Sequence, residues 1–165
     1  MTDQIQRIGA YGIAVLSGRL LLSRISPLGY PSGFWNLPGG RIEHGEAPTD
    51  TLVREFGEET GLRIAAYELV DVTSTHLVGP GRNGAMEDFH GLAVMYRVEV
   101  GGDTSASGTP GTLNEGDVDD DVRPAPHVVE VAGTTDAVAW VPLEDVRALD
   151  RLTIVDHALI HITGA

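Results

Sequence analysis

The sequence predicts an α/β fold in one domain, with a mixed β-sheet and helices on both of its sides. Three observations carry this. Two apolar runs, Arg7 to Leu16 and Arg19 to Ile25, are separated by Ser17-Gly18 and read as a strand pair. The segment from Pro48 to Thr60 reads as a helix, with proline at its first position and Gly61 just past its end. Strands then resume, and the chain closes on Leu152, Val155, Leu159 and Ile162, an amphipathic helical stripe. Strands that alternate with helices in this way suit a layered α/β architecture.

In chain order, Arg7 to Leu16 is a buried strand and Arg19 to Ile25 its hairpin partner, and together they begin the sheet. Ser26 to Gly33, rich in Pro, Gly and Ser, is a loop, and Phe34-Trp35-Asn36-Leu37-Pro38 leads from it to Gly39-Gly40. Trp35 reads as a core aromatic, with base stacking as the alternative. Beyond the helix, Leu62 to Leu77 is mostly strand, Val78 to Asp88 a loop and Phe89 to Val100 a strong strand. Residues 103–126 form an acidic insertion rich in Gly, Thr, Ser and Pro, expected to be flexible. His127 to Val131 and Ala137 to Val141 read as short strands, and a helix is expected from Trp140 to Leu149 before the last one. His157 and His161 lie one turn apart, the spacing of a helical zinc pair, but no third ligand is evident and they read as exposed.

Composition narrows the function classes. The 165 residues carry 42% hydrophobic and 21% charged side chains, ordinary for a soluble domain. There is no cysteine, which excludes disulfides, thiolate metal sites and a cysteine nucleophile. No signal-peptide pattern or membrane-length apolar run is visible, so the expected location is the cytoplasm. A formal net charge of −13 opposes nucleic-acid phosphates. All 11 basic residues are arginine, a composition that hints at a GC-rich bacterial genome.

The Pro48–Thr60 helix carries a charge pattern poor for its own stability. Glu55, Glu58 and Glu59 fall within an arc of about 100°, and Glu55 and Glu59 are like charges at i, i+4. Glu58 and Glu59 also sit at the negative end of the helix dipole. A hard cation such as Mg²⁺ or Mn²⁺ would relieve both conflicts; the bland alternative is a solvated acidic face. Leu52, Phe56 and Val53 occupy the neighbouring arc and are expected on the core. Gly57, costly inside a helix, suits a close approach by backbone or ligand. Ala47, where the helix cap should lie, offers no side-chain acceptor.

The stretch from Gly40 to Leu62 resembles the Nudix hydrolase signature at every defined position. Gly40, Glu46, Arg54, Glu55, Glu58, Glu59 and Gly61 each match a single required type, and Phe56 and Leu62 the apolar ones. At roughly 6% per type, chance agreement is on the order of 10⁻⁹. The resemblance implies an α/β/α sandwich with a mixed sheet. It implies a metal-dependent hydrolase that cleaves a phosphoanhydride bond in a nucleoside diphosphate linked to another moiety. It assigns Glu55, Glu58, Glu59 and the Gly40 carbonyl to Mg²⁺ or Mn²⁺, and makes Glu46 and Arg54 a pair that braces loop against helix, with phosphate contact by Arg54 as the alternative. Glu55 is the first candidate for general base, Glu87 and Glu130 follow, and Asp88 and Asp136 stand behind them. Arg82 and His90 are candidates for substrate contact. The substrate stays open, because the aromatic-proline run of NADH-specific relatives is absent and Pro80 lies near, not on, the proline position of ADP-ribose-specific ones. The expected partner is a small-molecule nucleotide, with no membrane; homodimerisation stays open. The alternative is a nucleotide-binding or regulatory module without turnover. The isopentenyl diphosphate isomerase branch needs a cysteine that this chain lacks.

Overall fold

A computed structural model of the chain describes residues 3–81, 83–101 and 125–163. Arg82 and nearly all of the 103–126 insertion lie outside the described residues, so neither expectation about them is addressed by the fold. The elements in order are β1 (Asp3–Ile13), β2 (Val15–Leu16), β3 (Arg19–Ile25), β4 (Trp35–Asn36), β5 (Gly39–Arg41), α1 (Pro48–Thr60), β6 (Arg63–Pro80), β7 (Met86–Gly101), β8 (Thr135–Pro142), α2 (Leu143–Val146) and α3 (Thr153–Thr163).

The strands form two sheets instead of the single one expected. The first has the order β5-β1-β7-β6, with β1 and β7 parallel and the other pairs antiparallel, so it is mixed. The second sets β2 and β4 against one edge of β3 and β8 against the other. The first apolar run therefore divides at Ala14: β1 enters one sheet, and only β2 completes the hairpin with β3 through the positive-φ pair Ser17 and Gly18.

Alternation along the strands builds two cores. Leu20 and Leu22 of β3, Ile13 of β1 and Met95 of β7 face α2 and α3, where Val146, Val155 and Leu159 are buried. Leu21, Ala10, Ala14, Tyr96 and Val98 face α1, against Leu52 and Phe56. Small residues on β1 let the helix sit close. A side chain at Gly12 would meet the Phe56 ring at 3.0 Å. This is the α/β/α sandwich.

Several local expectations are corrected. Val78 to Asp88 is not a loop: the β-branched run carries β6 to Pro80, β7 begins at Met86, and the turn is closed by Gly81 N donating to Ala85 O at 2.8 Å. The segment from His127 to Val131 forms no strand, because its N–H groups serve α1 instead. Trp140 to Pro142 finishes β8, and the expected helix shrinks to α2, starting after the extended Pro142. Val53 is 51% exposed, and the buried face of α1 turns instead to Thr51, Leu52, Phe56, Glu59 and Thr60. Gly57 meets no atom nearer than Leu62 O at 4.0 Å, so no backbone approach explains it. His157 and His161 are half-buried against β6, where His161 Nε2 lies 3.0 Å from Asp71 Oδ2 and His157 lies within hydrogen-bond reach of Thr73. Trp35 packs at the edge of the α3-side core with Arg24 over its ring.

Candidate active site

The site is assembled where β5 passes beneath α1. Gly39 has φ +143, and a side chain there would strike Ala10 O at 2.2 Å, so only glycine lets β5 press onto β1. A side chain at Gly40 would meet the Glu55 carboxylate at 2.5 Å. The glycine pair thus leaves the space that Glu55 fills, and it frees Gly39 N to reach Glu59.

Helix α1 begins at Pro48 without a side-chain cap, as expected of Ala47. Its approach is held by Glu46, which accepts from Arg54 Nε at 2.9 Å and Nη2 at 3.0 Å, from Thr51 Oγ1 at 2.7 Å and from Glu43 N at 3.1 Å. These bonds, Arg54 first, hold the Glu46 carboxyl down at about 2. Arg54 also donates through Nη1 to Glu55 at 2.8 Å and to Glu58 at 3.3 Å, so one guanidinium serves three carboxylates.

The C-terminal end of α1 is finished by chain that lies far along the sequence. His127 N donates to Thr60 O at 2.9 Å, and Val129 N and Glu130 N donate to Glu58 O at 3.0 and 3.2 Å. Carbonyls left over by the helix are thereby satisfied. Gly61 takes the left-handed conformation at φ +69, with the His127 ring where a side chain would stand.

Glu59 does not join Glu55 and Glu58. It is 8% exposed and turned inward, accepting from Gly39 N at 3.0 Å and from Thr135 Oγ1 at 2.5 Å, with a further bond from Ser23. Burial pushes its carboxyl up to about 7 against the pull of those bonds. Burial also raises Glu55; Arg54 opposes that shift, and the charges of Glu58 and Glu130 add to it. Among the described residues no three carboxylate or imidazole side chains converge as a preformed metal-ligand set, and Glu59 is the most buried of the three glutamates.

The donor chemistry still suits a hard divalent ion. Glu55 offers carboxylate oxygens beside the Gly40 backbone and feels Glu130, and Glu58 shares Arg54 with it. Among the described residues Arg54, already held by Glu46, is the cation these groups share.

The other candidates separate. Glu130 stands at the site and lines a cleft of about 410 Å³ together with Ser26, Leu28, Val128, Thr135 and Asp136. Asp136 lies on that cleft and pairs with Arg24 at 2.8 Å. Glu87 packs over Gly81 at the β6–β7 turn, and Asp88 is held by His76 at 2.5 Å and Gln4 at 3.3 Å. His90 lies 3.1 Å from Gln6. None of those three makes a hydrogen bond or ion pair with α1 among the described residues. Sequence reasoning missed Thr135, Ser23 and Tyr11. Tyr11 sits beneath the carboxylates, and burial, then Glu59 and Glu55, lift its hydroxyl to about 12. An aromatic among the small residues of β1 was the available signal for Tyr11; nothing in sequence marked the two hydroxyls.

The family model described as NUDIX domain matches residues 6–161. An octanoyltransferase of Myxococcus xanthus is 42% identical over 87 residues, which are 50% of this chain and 24% of that protein. An 8-oxo-dGTP diphosphatase of Proteus vulgaris is 40% identical over 42 residues, 26% of this chain and 38% of that one. The chain thus spans less than two-fifths of the length of these two relatives. Among solved structures, a MutT NUDIX hydrolase from Burkholderia pseudomallei superposes with a TM-score of 0.61 at 23% identity, covering 94% of this chain and 96% of the other. That likeness speaks for the fold.

Proposed function

This chain belongs to the Nudix family, and from that premise we propose that it is a metal-dependent hydrolase of a nucleoside diphosphate linked to another moiety. It cleaves a phosphoanhydride bond and releases phosphate, pyrophosphate or a nucleoside monophosphate. The observation that carries the reading is the Glu55 carboxylate seated over Gly40 and ion-paired with Arg54, within electrostatic reach of Glu130, which lines the cleft.

Mg²⁺ or Mn²⁺ would be held by Glu55, Glu58, Glu59 and the Gly40 carbonyl, and when bound it supplies neutralisation of phosphate oxygens. Glu59 already accepts from Gly39 and Thr135, and its carboxylate oxygens keep further lone pairs for a cation. The chain's own residues do the rest. Glu55, seated against the Gly40 backbone, takes a proton from the attacking water. The water oxygen bonds to a phosphorus of the anhydride, and the bridging oxygen leaves with the departing phosphate. Glu130 is the second choice of base, ahead of Glu87. Glu46 and Arg54 keep loop and helix in register. The cleft beside Thr135 receives the nucleoside end, where acidic walls would repel phosphate but accept N–H donors from a base.

A cytoplasmic location suits a water-soluble nucleotide substrate, and no described helix is long and apolar enough to cross a membrane. The inward Glu59 is the specific observation in favour of the second reading, nucleotide binding without turnover. A release assay separates them. ADP-ribose, nucleotide sugars, NADH, dinucleoside polyphosphates, and normal and oxidised triphosphates are each incubated with Mg²⁺, with Mn²⁺ and with chelator. Metal-dependent cleavage of one compound supports hydrolysis and names its substrate. Tight binding of one with cleavage of none supports the second reading.

A further inference from the structure

Strand β6 is the outer edge of the first sheet, and among the described residues no strand pairs with its free side. Its central portion, Val72-Thr-Ser-Thr-His-Leu-Val78, is extended and carries no acid, no arginine, no glycine and no proline. Edge strands are ordinarily guarded by charge, proline or bulges, because bare N–H and C=O groups recruit another strand. Here the guards stand only at the ends of this stretch. A bulge lies between Leu69 and Asp71, and Gly79-Pro80 closes the other end. The four β-branched residues between them favour strand pairing.

The stretch is also complementary to itself. Antiparallel pairing with a second copy about Thr75 sets Val72 opposite Val78 and Thr73 opposite Leu77. Val72, Leu77 and Val78 are 56%, 59% and 62% exposed in the single chain. The stretch from Val72 to Val78 itself carries no acid, so two copies can meet there without setting acid against acid. With 24 acids against 11 arginines, two copies repel wherever acidic surfaces meet. In this register no acid faces an acid: Asp71 falls opposite Gly79 and is tied to His161 of its own chain, and Asp88 of the neighbouring strand is tied to His76.

We propose that the chain forms a two-fold homodimer by antiparallel pairing of its β6 edges over Val72–Val78, which joins the two four-stranded sheets into one. The partner is a second copy of this chain, and the axis passes at Thr75. Repulsion between the acidic bodies opposes assembly, so the dimer tightens as salt screens it.

Sedimentation equilibrium of the full chain, from micromolar to near-millimolar concentration, tests this. Wild type is expected to show a monomer–dimer equilibrium that shifts toward dimer with added salt. The double variant Val72→Glu/Val78→Glu places like charges opposite each other and should weaken pairing by at least about 100-fold. Val72→Lys/Val78→Lys should do the same alone, and an equimolar mixture of the two variants should pair. Both positions are exposed, and circular dichroism confirms that each variant folds. The chain has no cysteine, so Thr75→Cys supplies a single thiol. Directly opposed Cα atoms lie about 4.5–5.5 Å apart, within disulfide reach, and this variant should cross-link on oxidation while Leu69→Cys should not. A wild type that stays monomeric throughout, or a dimer indifferent to the charged variants, overturns the interface. Capture of an extended peptide in place of a second copy also overturns it. Failure of Thr75→Cys to cross-link overturns the register.

Discussion

The two ends of α1 treat the same side chain in opposite ways. At its N-terminal approach, Glu46 lies among donors from Arg54, Thr51 and Glu43, and its carboxyl is held at about 2. At its C-terminal end, Glu59 also accepts hydrogen bonds, from Gly39, Thr135 and Ser23, yet its carboxyl rises to about 7. The difference is burial first and the cation second: Glu59 is shut away from water, whereas Glu46 is not. Arg54 contributes a full positive charge at one end, whereas neutral donors at the other cannot offset removal from water. One end is fixed and the other holds a charge it does not favour.

The largest effect that would sharpen this contrast is on turnover. Glu58→Gln and Glu59→Gln should each lower kcat by at least about 100-fold, beyond the range seen when groups that merely support a metal site are lost. Wild-type turnover at limiting Mg²⁺ in either variant would remove that residue from the site. Next comes Arg54→Met, which strips Glu46, Glu55 and Glu58 of their shared partner. Activity should fall about 10–100-fold and the melting temperature should drop, as read by calorimetry and initial rates; an unchanged melting temperature would mean the brace is dispensable.

The pH dependence of stability follows from the signs. Glu59 has a raised folded value, so the folded state holds its proton while the unfolded chain, at 4.5, releases it. Its contribution is therefore complete below about 4.5 and is lost as pH rises through 7, by up to roughly 3 kcal/mol. Glu46 runs the other way: its contribution is present above 4.5 and is lost as pH falls toward 2. Metal-free denaturant titrations from pH 5 to 8 should show stability declining in wild type and much flatter in Glu59→Gln. A decline of the same size in both would assign it elsewhere. The smallest effect tests the helix itself. Gly57→Ala adds a methyl where nothing lies nearer than 4.0 Å, so it should stabilise by about 0.5–1 kcal/mol. A loss of activity with that gain would mean a ligand comes close there.

Much of the site was legible because its signal is local. Pro48, Gly61 and the spacing of Glu46, Arg54, Glu55, Glu58 and Glu59 fix a helix with both ends marked and an acidic edge, and α1 runs from Pro48 to Thr60 as read. The strands were legible as apolar alternation, but their assignment to sheets was not, since a run such as Arg7 to Leu16 gives no sign that it divides at Ala14. His127 to Val131 has strand composition and caps a helix instead, because whether an N–H finds a strand or a helix end depends on what folds against it.

The sequence by itself determined the family, the helix, its glycine-bounded approach and the charge conflict along its edge, all of which rest on residues within one or two turns of each other. Only the tertiary structure decided which glutamate is buried. Glu59 is turned inward by Thr135, 76 residues away, and by Gly39 on a strand that glycine alone allows against β1. Burial is a property of the assembled layers. A carboxyl's charge preference follows its distance from water and cations, and periodicity along one helix cannot encode that distance.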